Sequence, residues 1–213
     1  MFIERLIKEF QYNEPIFTYE ILDLFKEYSR AYIFKLIKKA EINNEIKKFS
    51  NGIFYIPIKT KIGISTITAE DVIKKKYITN NKEVYGIYSG LYLQNMFHIS
   101  TQMPNTIEII SNYETMRCRK ISLNGRNIVL RKSRCKIDST NVKIYILLQL
   151  ITDTNINSEL NTNIKNIITK YIKDNNITLL EIINLSKKFP AETVKKLINS
   201  GVIYECTQQF RGI

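Results

Sequence analysis

The stretch from Ser29 to Pro57 constrains this chain most. Ile33, Leu36, Ile37 and Ala40 recur at i, i+3, i+4 and i+7, the spacing of an amphipathic helix with one buried stripe. Ser29 stands at its N-terminal edge, where a hydroxyl accepts a bond from a free amide of the first turn. Two strands are predicted next, Ile46-Lys47-Lys48-Phe49 and Ile53-Phe54-Tyr55-Ile56, joined through Ser50-Asn51-Gly52. Asn-Gly is the strongest two-residue hairpin signal, and a primed turn there needs positive φ at both positions. Pro57 ends the second strand. Upstream, Phe2, Ile3, Leu6, Ile7 and Phe10 have helical spacing, and Asn13-Glu14-Pro15 breaks it. Thr18 reads as the N-cap of a short helix whose apolar face is Ile21, Leu22 and Phe25.

Three helices and a hairpin over residues 1–62 make the order of a winged helix-turn-helix. In that motif the second helix of the pair lies in the major groove. Opposite its apolar stripe the helix after Ser29 carries Ala31, Lys35, Lys38 and Lys39, flanked by Arg30 and Tyr32, with no acid among them. A guanidinium matches the O6 and N7 acceptors of guanine, so Arg30 is the candidate base reader, and the lysines are candidates for phosphates. The hairpin tip adds Lys47, Lys48, Ser50 and Asn51, suited to a wing on the backbone or minor groove. Thr18 and Ser29 complete the expected DNA-binding set. The alternative is an amphipathic helix with a solvated lysine face.

Net charge supports a polyanionic partner. It is +12 over 213 residues, with 32 Lys and Arg against 20 Asp and Glu. The excess is greatest in the middle: 12 cations and 5 acids in residues 64–137, against 11 and 8 before and 9 and 7 after. Abundant Ile, Asn and Lys with scarce Ala read as low-GC coding bias. The longest apolar stretch, near Ile144 to Ile151, is far short of the roughly 20 residues of a membrane helix, and no secretory leader is expected. Cys118, Cys135 and Cys206 are widely spaced and form no CxxC pair, so neither a zinc site nor a disulfide framework is suggested. The expectation is reduced thiols in a cytoplasmic protein.

Beyond Lys61 the reading is α+β, with residues 63–137 mixed and 138–213 helical. Thr68 caps a helix to about Tyr77, and Lys74, Lys75 and Lys76 read as its solvated end. Strands are predicted at Val84 to Ile87, Thr106 to Ser111, Arg117 to Leu123 and Ile128 to Ser133, and a helix from Leu91 to Phe97. The tail is helical from Val142, with breaks at Asn155, Asn175-Asn176 and Pro190. Catalytic constellations are lacking: there is no GxxxxGK[ST], HExxH or GxSxG, and the one histidine, His98, reads as a satisfied structural residue beside Phe97 and Ile99. No enzyme, metal or cofactor is expected. Ser89-Gly90 opens a helix, where free amides hold an anion or Gly permits close packing. From Arg117 to Lys136 the chain holds Arg117, Arg119, Lys120, Arg126, Arg131, Lys132, Arg134 and Lys136 and no acid. Like charges across a hairpin repel, so a polyanion or an acidic partner is expected there, or screening by salt.

Two blocks carry a family resemblance. Ser29-Arg30-Ala31 through Lys39-Ala40-Glu41-Ile42, with Asn51-Gly52-Ile53-Phe54-Tyr55-Ile56-Pro57, resembles the winged helix of AbiEi-type antitoxins from type IV toxin–antitoxin systems. Tyr88-Ser89-Gly90-Leu91-Tyr92-Leu93-Gln94-Asn95 with Ile99-Ser100-Thr101-Gln102-Met103-Pro104 looks like the signature of their second domain, and Arg126 to Arg131 is also similar. The likeness covers roughly residues 15 to 135 and, loosely, the helical tail. It departs at Ala40, often Gly in the family, and at the longer link Asn43-Asn44-Glu45. The resemblance implies a repressor that binds its own promoter as double-stranded DNA and counters a nucleotidyltransferase-like toxin, with or without direct contact. The other expectation is a nucleic-acid-processing enzyme targeted by a winged helix.

Overall fold

Each N-terminal helix has one apolar stripe to bury, and the first 75 residues arrange themselves around that need. The computed structural model describes residues 2–61, 63–154 and 162–203, and the chain divides into two compact units, Met1–Lys75 and Lys76–Ile213. The first unit runs α1 (Phe2–Glu9), β1 (Ile16–Phe17), α2 (Thr18–Leu24), α3 (Arg30–Ile42), β2 (Lys47–Ser50) and β3 (Ile53–Tyr55). The short antiparallel pair β4 (Lys59–Thr60) and β5 (Gly63–Ile64) and the helix α4 (Ala69–Tyr77) follow. Leu6 and Phe10, Ile21 and Phe25, and Ile33, Ile37 and Ala40 bring the stripes of the first three helices into one core, closed by Ile46, Phe54 and Ile56.

Three local expectations change. Ile16 and Phe17 are not a mere lead-in to a helix: they pair with Phe54 and Ile53, giving a three-stranded sheet in the order β1-β3-β2. Both strand residues are buried, which two consecutive β-type residues achieve only when a neighbouring edge accepts them. Thr18 is not the N-cap of α2. Phe17 occupies that position, and the Glu20 carboxylate accepts its amide at 2.8 Å. In the β2–β3 turn only Gly52 has positive φ, at 77°, and the pairing shifts register between Lys48 and Ser50. A bulge therefore does the work expected of a primed turn.

Lys75 is the clearest correction in this unit. Instead of a solvated helix end, its side chain is 8% exposed and its ammonium reaches Glu14 at 2.8 Å, Glu20 at 3.0 Å and the Pro15 carbonyl at 2.7 Å. Phe10 and Phe17 present their ring faces to it at 4.8 and 5.8 Å. Together with Ser65, whose carbonyl accepts the Tyr55 hydroxyl and whose hydroxyl meets Asn13, Lys75 fastens residues beyond 62 to the helical core. The first compact unit accordingly runs to Lys75.

The second unit combines a four-stranded sheet with a cluster of helices. Its strands are β6 (Gly86–Ser89), β7 (Thr106–Ser111), β8 (Arg119–Leu123) and β9 (Arg126–Lys132), in the order β6-β7-β9-β8. The central β7–β9 pair is parallel and the outer pairs are antiparallel. β6 starts later than the predicted strand at Val84, which makes only an isolated bridge to Thr79. The β8–β9 turn is Asn124-Gly125, both with positive φ, so Arg126 and Asn127 belong to the strand. Ile87 and Ile110 lie on the face that packs against α5 (Gly90–Met96) and α6 (Val142–Asp153). α6 is buried almost all round, as its continuous apolar run requires, and α7 (Thr162–Asp174), α8 (Leu179–Ser186) and α9 (Ala191–Asn199) complete the cluster. The expected breaks at Asn175-Asn176 and Pro190 separate these helices; the one at Asn155 lies outside the described residues. No helix among the described residues is long and apolar enough to cross a membrane.

Candidate nucleic-acid interface

α3 starts where Ser29 stops the preceding turn. The Ser29 hydroxyl accepts the Tyr32 amide at 3.3 Å, so the helix begins with Arg30 on its first exposed turn. The helix ends through Asn44, whose φ is 53°, and the Ala40 carbonyl accepts the amides of Glu45 and Ile46 at 2.9 and 3.4 Å. The long Asn43-Asn44-Glu45 link is thus a helix cap that turns the chain into β2. With Ile33, Ile37 and Ala40 buried, the opposite face presents Arg30, Ala31, Phe34, Lys35 and Lys38, with Tyr32 and Lys39 at its margins, all exposed.

Composition of that face is more aromatic than the sequence reading held. Phe34 is 42% exposed and lies under the Arg30 guanidinium at 5.7 Å. Tyr32 packs against Tyr28 at 5.4 Å, and Tyr19 on α2 is exposed and stacked on Phe17. Phe34, Tyr28 and Tyr19 were missed because helical spacing makes an aromatic look like core. The usable signal was that Phe34 falls one residue out of the Ile33–Ile37 stripe. Among the described residues, Lys35, Lys38, Lys39, Lys47 and Lys48 form no ion pair. The acid nearest the start of α3 in sequence, Glu27, is paired with Arg5; its carboxyl is held below the usual range first by a hydrogen bond to its own amide and then by that guanidinium.

Thr18 ties the hairpin to the helices. Its amide and its hydroxyl both donate to the Gly52 carbonyl, at 2.9 and 3.1 Å. Both Thr18 donors are spent inside the protein, whereas Ser29 accepts a bond as the cap of α3 and stays exposed. Asn51 is exposed at the hairpin turn and Lys48 is exposed on β2, while Lys47 is half-buried. One unit therefore holds the whole N-terminal candidate set, on α2, α3 and the hairpin.

The basic stretch of the second unit is less bare than its own residues suggest. Arg119 bonds the buried Glu114 carboxylate at 2.9 Å, and Arg131 bonds Glu108 of β7 through two nitrogens at 3.2 and 3.1 Å. Arg134 bonds Gln149 at 3.2 Å and stacks over Phe189 at 4.9 Å. These acids stand outside residues 117–136 and are brought in by β7 and the turn after it, so a local count of charge overstated the repulsion. Arg117, Lys120, Arg126, Lys132 and Lys136 are exposed.

The Ser89-Gly90 helix start does hold an anion, and it is the chain's own. Asp153 at the end of α6 accepts the Gly90 amide at 2.7 Å and the Ser89 hydroxyl at 2.9 Å, and Gln149 donates to its other oxygen at 2.8 Å. Close packing holds as well: a Cβ on Gly90, whose φ is 62°, would sit 2.8 Å from a Glu108 oxygen. His98, expected as a satisfied structural residue, is exposed and takes a φ of 55° after α5. Among the described residues, no three of His, Cys, Asp and Glu converge as a metal site would require. No family model and no curated protein matches the chain.

Proposed function

We propose that the first unit is a winged helix-turn-helix that binds duplex DNA with α3 in the major groove and the β2–β3 hairpin on the flanking backbone. The observation that supports this most is the α3 surface. A capped helix presents an arginine at its N-terminal end and, along one face, lysines that form no ion pair among the described residues, with its one acid, Glu41, in the last turn, next to a hairpin carrying two more lysines. A helix used only for packing has no need of that sorting. Phosphates supply most of the affinity through the lysines, and Arg30 supplies sequence preference. We further propose, on the resemblance of the Ser29–Pro57 and Tyr88–Pro104 blocks, that the chain is an antitoxin. It represses its own operon and counters a nucleotidyltransferase-like toxin.

Fluorescence anisotropy with the duplex upstream of the gene, at several salt concentrations, tests the DNA reading. Arg30→Ala costs about 1–3 kcal/mol on the cognate duplex and much less on random duplex. Lys35→Gln and Lys38→Gln weaken both alike, each lowering the salt slope by about 0.9. Unchanged affinity in all three folded variants defeats the assignment. Growth rescue against the product of an adjacent nucleotidyltransferase-like gene tests the antitoxin part separately.

A further inference from the structure

The second unit holds a cleft of its own. It has a volume of about 640 Å³ and lies between the turn at residues 111–114 and the loop at residues 133–139. That size falls within the roughly 300–1,000 Å³ of small-ligand sites. Tyr113 lines it and is 59% exposed, yet its ring leans on the buried ring of Tyr85 with centroids 4.6 Å apart. The backbone under it is pinned as well. The Tyr113 amide donates to the Ser111 hydroxyl, the Asn112 amide to the Tyr85 carbonyl, and the Glu114 carboxylate accepts the amides of Thr115 and Met116. The opposite wall is fastened by Asn112, which bonds both the amide and the carbonyl of Ile137 at 2.9 and 2.7 Å. An exposed aromatic face is thus held open in front of a rigid loop, at little further entropy cost to a ligand that stacks on it.

We propose that this cleft takes one nucleotide of a single-stranded nucleic acid, with the base stacked on Tyr113 and the sugar-phosphate beside Lys136 and Lys82. Stacking on an aromatic platform next to cations is how such strands are held without base pairing. Lysine and acid are balanced in the lining itself, with Glu83 and Asp138 against Lys82 and Lys136. The Thr140 hydroxyl and amide hold the Asp138 carboxyl below its ordinary value. That balance suits a ligand with a polar aromatic portion over a bare inorganic polyanion. Exposed cations also follow the turn and precede the loop along the chain, Arg117 and Lys120 after the one and Lys132 before the other. A duplex, whose bases are paired inside, has none to offer Tyr113.

The test uses the full chain and a fluorescein-labelled mixed-sequence 12-nucleotide RNA, the same sequence as single-stranded DNA, and a duplex. Tyr113→Phe retains single-strand affinity within about twofold, and Tyr113→Ala loses roughly tenfold, as removal of a stacking platform does. Duplex affinity, which rests on α3, is the same in both variants. A 4-thiouridine-substituted RNA crosslinks under ultraviolet light to the peptide containing Tyr113. Either order of RNA and DNA affinity sustains the proposal and identifies the strand. Absence of single-strand binding by the unaltered chain, equal affinity of Tyr113→Ala, or crosslinks confined to α3 overturns it. Failure of duplex binding alone leaves this site standing and removes the other.

Discussion

Replacing Lys75 by Met isolates the energetic consequence of a buried charge in the N-terminal unit. The ammonium is 8% exposed, and its two carboxylate partners, Glu14 and Glu20, are 14% and 20% exposed. Breaking a fully buried pair costs about 3–5 kcal/mol, because the remaining charge is stranded. Here the carboxylates retain some water and each keeps a backbone amide, Gln11 for Glu14 and Phe17 for Glu20. Methionine also keeps the contact with Phe10 and Phe17 that the lysine stem and ammonium make. The expected loss is therefore about 2–4 kcal/mol, below the fully buried case. Urea unfolding followed by circular dichroism measures it, and amide exchange of peptides within residues 2–61 localises it to this unit. The triple variant Lys75→Met, Glu14→Gln, Glu20→Gln recovers at least half of the loss, since no stranded charge remains. A single-variant loss under about 0.5 kcal/mol would place the cluster among solvated surface pairs and refute the reasoning.

Two further perturbations address the second unit. Gly90→Ala forces a side chain into left-handed backbone at φ 62° and against the Glu108 carboxylate that Arg131 holds. It lowers stability by about 1–3 kcal/mol in denaturant unfolding, and a neutral result would mean that the Ser89-Gly90 turn is free to relax. Burial pushes the Tyr171 phenol up to about 12 while its hydroxyl donates to the Lys143 carbonyl. A raised folded-state value means stability that is complete below the unfolded phenol's value near 10 and lost as pH rises toward 12. Thermal unfolding of the chain between those limits falls with pH, and Tyr171→Phe flattens the dependence.

Periodicity and turn chemistry, which act within a few residues, were legible in the chain itself. The α3 stripe, the Ser29 cap, the Thr68 start of α4, the β7 limits and the breaks at Asn175-Asn176 and Pro190 follow from spacing and from what Ser, Thr, Asn and Pro do to backbone. Even the Asn-rich composition has a local consequence. Asn13, Asn44, Asn124 and Asn176 take positive φ, a conformation usually left to glycine, in a chain that has only 7 glycines. The basic outer face of α3 was equally visible, because the face opposite a stripe is known once the stripe is.

Tertiary structure alone decided everything that depends on residues far apart in sequence. Ile16 and Phe17 become a strand because Phe54 and Ile53 offer an edge. Thr18 turns from helix cap to hairpin tether because Gly52 arrives beside it. Lys75 and the turn at Glu14 meet across 60 residues, so no local count of charge marks that lysine as buried. Arg119 and Arg131 find acids that lie outside the basic run, and Asp153, 63 residues on from Gly90, accepts its amide. Propensity and period are properties of a segment, whereas burial and pairing are properties of a neighbourhood. The electrostatics of this protein belong to the second kind.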